Sequence, residues 1–183
     1  DRFADIEVLR YKVPGFEDLS LKQKELIYYL SQAALEGRDI LYDQNNKYNL
    51  TIRKTLEAIY ENYKGDRNDK EFLALECYLK RVWFSNGIHH HYATDKFTPE
   101  FSESFFETTV RTLPSNTLPI QAYDNSVENL IAAIKPVIFD STLYAKRVNQ
   151  NENIDLVKNS ANNYYEGVTE AEVDQFYKSK KEP

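Results

Sequence analysis

The chain is poor in the residues that most often signal a function. It has one cysteine, five glycines and three histidines among 183 residues. A single cysteine, Cys77, excludes an intramolecular disulfide framework and a multi-cysteine zinc site. Flanked by Phe72, Leu75 and Leu79, it reads as an inert buried thiol. With so few glycines there is no Gly-rich phosphate loop, and no G-x-S-x-G elbow is present. No apolar run approaches the ~20 residues that span a bilayer, so no membrane partner is expected. No signal peptide opens the chain. It begins at Asp1 and not at an initiator methionine, so the expectation is an excised piece of a longer protein. A cytoplasmic location is favoured for that parent.

Charge narrows the partners further. Lysine and arginine total 23 against 29 aspartates and glutamates, a net charge of −6. An acidic protein repels phosphate backbones, so no nucleic-acid partner is expected. The most basic tract, Lys178 to Lys181, closes the last helical stretch, where it complements the helix dipole.

What is present is apolar and aromatic: 42% hydrophobic residues with 14 tyrosines. That is enough for a core, and the tyrosine hydroxyls suit its boundary or a polar cleft. Ile6 to Val13 reads as an extended segment ending at the Pro14-Gly15 turn. Ser20 and Gln23 form a capping box, and Leu26, Ile27, Leu30 and Ala34 continue a helix through Gly37 as far as Gln44. Asn45 to Tyr48 is a polar break. Ile52, Leu56, Ile59 and Tyr63 mark a second helix. Phe72, Leu75, Leu79 and Val82 form the cleanest stripe, a third helix running to about Ser85.

Thr98-Pro99 announces a fourth helix with apolar face Phe101, Phe105 and Val110. Leu113 to Asn125 is a loop. A fifth helix starts at Ser126 and is stopped or kinked by Pro136. Ile154 to Tyr165 is expected to be helical, and Thr169 with Glu172 caps a final helix. The fold class is therefore mainly α, with six or seven helices and at most a short extended N-terminal segment. Residues 1–183 are expected to form a single helical domain.

All three histidines fall in Trp83 to Tyr92, WFSNGIHHHY. Consecutive histidines diverge by about 100° on a helix and alternate faces on a strand, so they cannot share one ion. His89 and His91 alone could share a side, and a weak stand-alone metal site there is the least favoured reading. Glu103 and Glu107, four residues apart, read as a solvated helix face, not an acid–base pair. A binding wall suits the stretch better. A helix ends at Ser85-Asn86-Gly87, with Gly87 a natural left-handed stop, and the following loop is rich in hydrogen-bonding rings. The plain alternative is that Trp83, Phe84 and Ile88 pack the loop and leave the histidines solvated.

Two long blocks carry a resemblance. LSLKQKELIYYLSQAALEGRDILYDQNNKYNL (Leu19 to Leu50) and VWFSNGIHHHYATDKFTPEF (Val82 to Phe101) resemble the dipeptidyl peptidase III family, most closely its bacterial branch. The resemblance covers residues 1–130 and extends onward by continuity. It implies a two-lobed zinc exopeptidase that removes dipeptides from the N-termini of short peptides. The family's His-Glu-x-x-x-His and Glu-Glu-x-x-x-Asp motifs supply the zinc ligands and general base, and neither occurs in this sequence.

The chain is thus expected to be the N-terminal part of the lower lobe. It should hold no cofactor and be inactive alone, with zinc belonging to the parent enzyme. Its partners would be short peptides and the missing catalytic lobe of the same chain. The resemblance gives it no catalytic residue and points to Tyr92 as an aromatic wall of the substrate cleft. His91 would be its hydrogen-bonding neighbour, and Asn86 would fix the loop. Elsewhere in the family the two wall positions can hold a small hydroxyl residue followed by phenylalanine; His91 and Tyr92 keep the ring and add polar groups.

The alternative is a non-catalytic helical interaction module. On the peptidase reading, surfaces meant for the missing lobe are exposed, and a dimer through them is expected. Sedimentation of a clean monomer at high concentration would count against that dimer.

Overall fold

The computed structural model describes residues 2–180 and is mainly helical, as the periodicity predicts. Its backbone divides into a unit that ends at Leu41 and a larger one that begins at Tyr42.

In the first unit, β1 (Arg2–Phe3) and β2 (Ile6–Glu7) form a small antiparallel hairpin pairing Arg2 with Glu7 and Phe3 with Ile6. The extended segment predicted from Ile6 to Val13 is a strand only at its start. Helix α1 (Leu21–Glu36) opens on the predicted capping box, with Ser20 Oγ accepting from Gln23 N–H and Gln23 Oε1 from Ser20 N–H. The chain breaks at Gly37, so α2 (Arg38–Asn45) is a separate helix and not a continuation. None of the residues of α1 is buried.

The second unit holds the core. Helices α3 (Asn49–Asn62) and α4 (Lys70–Ser85) pack together, as do α5 (Glu103–Thr112) and α6 (Val127–Phe139). Ile52, Leu56, Ile59, Leu75, Leu79 and Val82 meet Phe106, Val110, Leu130, Ile134 and Ile138 in one buried cluster. The predicted stripe of α4 is its buried face. Cys77 is half-buried, beside that stripe and not within it.

Three expectations are corrected. Thr98-Pro99 does not start α5. Phe101 is drawn into the core against Tyr78 and Phe139, and Ser102 caps instead, its Oγ accepting from Phe105 N–H at 3.1 Å. Nor does Pro136 end α6. The proline is exposed, as is Ala132, whose carbonyl is the one that lacks a helical N–H partner, while Val137 and Ile138 beyond it are buried. Ile154 to Tyr165 forms only one helical turn, α7 (Leu156–Asn159), before the chain extends. Beyond it the N–H groups of Ala161, Asn162 and Asn163 turn to the carbonyls of Lys146, Arg147 and Gln44, and Ser160 Oγ accepts from Asn149 N–H.

Thr169 and Glu172 do cap the last helix, α8 (Glu170–Lys180), through reciprocal bonds of 2.8 and 3.2 Å. Lys178 and Lys180 lie in its last turn, and Lys181 lies outside the described residues. Glu103 and Glu107 face solvent with cations: Lys135 bonds Glu107 at 2.7 Å, and Arg111 bridges Glu107 and Glu128.

Candidate functional site

The helix α4 ends where Asn86 turns left-handed, at φ 52° and ψ 45°. Gly87 follows at φ +144°, and its N–H donates to Val82 O at 3.0 Å. A Cβ at Gly87 would lie 2.1 Å from Asn49 Nδ2, so both the backbone angle and the space demand glycine. Asn49 is fully buried and ties two elements: its Nδ2 donates to Tyr42 O at 3.2 Å, and its Oδ1 accepts from Ile88 N–H at 3.1 Å. Asn45 Nδ2 adds a bond to Asn86 O at 3.0 Å. The polar break read from the sequence is therefore a buried amide knot that anchors the loop.

From that anchor the chain runs out and back. Phe97 N–H donates to Ile88 O at 2.8 Å, His90 N–H to Asp95 O at 2.8 Å, and Thr94 N–H to His90 O at 3.0 Å. A further segment pairs alongside, through Lys96 N–H to Ala145 O and Arg147 N–H to Thr94 O. Ala161 N–H then donates to Lys146 O, extending the pairing to the segment after α7. These segments make a small irregular sheet that carries the histidines and Tyr92.

Each histidine has a different task. His89 is 1% exposed; its Nε2–H donates to Tyr144 O at 2.7 Å, and its Nδ1 has no hydrogen-bond partner. Burial pushes its pKa down to about 4, with help from Lys96 and Arg147 and against the pull of the Tyr144 carbonyl and Asp95. His90 turns its Nδ1 back to accept from Tyr92 N–H at 3.1 Å and Ala93 N–H at 3.0 Å, fixing the tip. His91 stacks on His90 at 4.5 Å and meets Phe84 edge-on at 4.9 Å, while its carbonyl accepts from Arg147 Nη2.

Lys96 braces the base of the sheet. Its ammonium donates to the carbonyls of Val137, Asp140 and Leu143, capping the C-terminus of α6. Burial holds its pKa below the usual lysine value, opposed by Asp140.

Tyr92 is the exception in this group of pinned side chains. It stands 88% exposed at the tip, beside a shallow concavity of about 440 Å³ lined by Thr94, Lys146, Val148, Gln150 and Asn151. Of the residues proposed for binding, His91 and Tyr92 are thus adjacent and outward. Asn86 lies at the foot of the loop and holds it. No protein-family model matches the chain, and no curated protein sequence matches it.

Among the described residues no three histidine, cysteine, aspartate or glutamate side chains gather around one point. His89 and His90 spend ring nitrogens on the backbone, as above. Trp83 and Phe84 remain partly exposed, with Trp83 Nε1 donating to Glu57 at 2.8 Å, so of the apolar trio only Ile88 packs fully under the loop.

The sequence reading took Asn45 and Asn46 only as a polar break and Lys96 only as part of the loop's frame, and it passed over Asn49. Their signal was faint: asparagines one turn apart between two helices, which also describes a solvated linker.

Proposed function

We propose that this chain is the substrate-cleft portion of a zinc-dependent dipeptidyl peptidase acting on short peptides, and that it supplies peptide recognition. The resemblance of Leu19 to Leu50 and Val82 to Phe101 supplies the reaction class. One structural observation supports the recognition role: the hairpin commits its other rings and termini to holding shape, and leaves Tyr92 exposed over a polar concavity. A rigidly mounted aromatic ring presents apolar area at little entropic cost and attracts a cation on its face. His91 stands beside it, and Asn86 fixes its height through the αL turn. The zinc motifs of the family do not occur in this sequence, so no step of hydrolysis is assigned to these residues.

The test is titration calorimetry with a tetrapeptide carrying arginine near its N-terminus. Tyr92→Ala is expected to weaken binding roughly tenfold, the ~1–2 kcal/mol of a partly desolvated cation–π contact. Binding that is unchanged by Tyr92→Ala would sink the reading.

A second reading, a helical interaction module without a reaction, draws on α1, where Leu26, Ile27, Tyr29 and Leu30 are exposed. The reading frame after Pro183 separates the two. A downstream His-Glu-x-x-x-His belongs to the peptidase, and an unrelated domain to the module.

A further inference from the structure

Phe84 lies in the last turn of α4, one residue before the buried Ser85, and is 41% exposed. Its neighbour Trp83 turns toward α3, where the indole donates to Glu57 and meets the Tyr60 ring edge-on at 6.2 Å. Phe84 turns to the loop instead and ends a ladder of four rings. Phe97, part of the core, meets His90 at 6.1 Å, and His90 stacks on His91 at 4.5 Å. His91, itself exposed, meets Phe84 at 4.9 Å with the ring planes 78° apart.

A single exposed apolar residue is ordinary on a protein surface. The ladder sets Phe84 apart in two ways. Its mount is firm, because the end of α4 is held at Asn86 and Gly87 and the His91 carbonyl is held by Arg147. Its geometry is also open to a further ring. Two rings near a right angle form a corner, in which a third can meet the face of one and the edge of the other. Both walls are fixed before anything binds, so little rotamer freedom remains to be lost.

We propose that Phe84 and His91 form an apolar subsite that takes an aromatic side chain of the bound peptide. The inference rests on the reading of this loop as a peptide-binding wall, and it deepens that reading by naming a substrate class. Tyr92 meets a cationic side chain and the corner an aromatic one, so the preferred ligands are short peptides that carry both. Phe84 is thereby a specificity-determining residue.

The test is calorimetry with four tetrapeptides: Arg-Ala-Ala-Ala and the three in which phenylalanine replaces one alanine. At least one phenylalanine peptide is expected to bind roughly five- to tenfold tighter than the all-alanine parent. Phe84→Ala is expected to erase that gain and to leave the affinity for the parent within about twofold. Phe84→Tyr keeps the ring and should keep the gain. Tyr92→Ala should weaken all four peptides alike and preserve the gain. The gain is a difference between two ligands on one variant, so a general loosening of the fold does not mimic its loss. No gain in the unmodified protein, a gain that survives Phe84→Ala, or equal losses in Phe84→Ala and Phe84→Tyr overturns the subsite. If Tyr92→Ala changes nothing while Phe84→Ala erases the gain, the Tyr92 contact falls and the corner stands. Failure of all four peptides to bind overturns both.

Discussion

Helices α1 and α4 are both 16 residues long, yet α4 buries Phe72, Leu75, Tyr78, Leu79, Val82 and Ser85, whereas α1 buries nothing. Apolar content does not explain the difference. In α4 the buried apolar residues recur every three or four positions and share one face, with Leu73, Trp83 and Phe84 lying off it. In α1, Leu26-Ile27-Tyr28-Tyr29-Leu30 run consecutively, so at about 100° per residue they point all round the axis. A stripe packs into its own unit; a helix apolar on every side cannot turn all of them toward a single neighbour. The helix ends differ in the same sense. After α1, Gly37 keeps an ordinary right-handed backbone, at φ −77°. After α4, Asn86 turns left-handed at φ 52° and Gly87 sits at φ +144°, a helix stop held against Asn49.

The contrast can be broken at its strongest point by trimming one leucine from each helix. Leu79→Ala is expected to cost about 2–5 kcal/mol in urea unfolding, the range for enclosed leucines, and Leu26→Ala less than ~0.5 kcal/mol. Comparable losses at both positions would show that α1 is packed in solution.

Next in size is the pH response of the loop that α4 launches. The His89 imidazole titrates near 6.5 when unfolded and at about 4 when folded. Between those values the unfolded chain binds the extra proton, so stability is full above about pH 6.5 and declines as pH falls through the window. The loss is about 3 kcal/mol by pH 4, at ~1.4 kcal/mol per pH unit. His89→Gln, which keeps a donor for the Tyr144 carbonyl, should flatten the dependence between pH 6.5 and 4.5. A variant with the undiminished slope would clear His89 of responsibility.

The smallest effect is the sharpest in sign. Gly87→Ala meets both positive φ and the Asn49 amide, and is expected to destabilise by about 1–3 kcal/mol. At Gly37 the nearest atom to an added Cβ is 3.8 Å away, so Gly37→Ala should stabilise by about 0.4–1 kcal/mol. Thermal melts of the two variants moving in the same direction would contradict this account of the two termini.

These comparisons also mark where the sequence was legible. The capping boxes at Ser20 and Thr169 and the stripe of α4 are local signals, fixed within a turn or two, and they lie where the spacing predicts. The failures need distant partners. Phe101 enters the core because Tyr78 and Phe139 await it, which moves the start of α5 past Thr98-Pro99. Ile154 to Tyr165 gives up its helix to pair with Lys146, Arg147 and Gln44. Tyr92 and His91 were singled out as neighbours on the loop, and both are exposed there, whereas the devices that hold the loop, Asn49 and Lys96, act on carbonyls and N–H groups far along the chain. Side chains that serve backbone groups leave no periodicity behind.

The left-handed turn at Asn86 has a consequence for the chemical lifetime of the protein. An asparagine followed by glycine is the dipeptide most prone to deamidate, because the glycine nitrogen can attack the asparagine side-chain carbonyl and close a succinimide ring. Here that nitrogen is already donating its hydrogen to Val82 O, and Gly87 is buried against Asn49. Folding thus shields the most labile bond in the chain. The protein ages at this position only as often as the end of α4 comes undone.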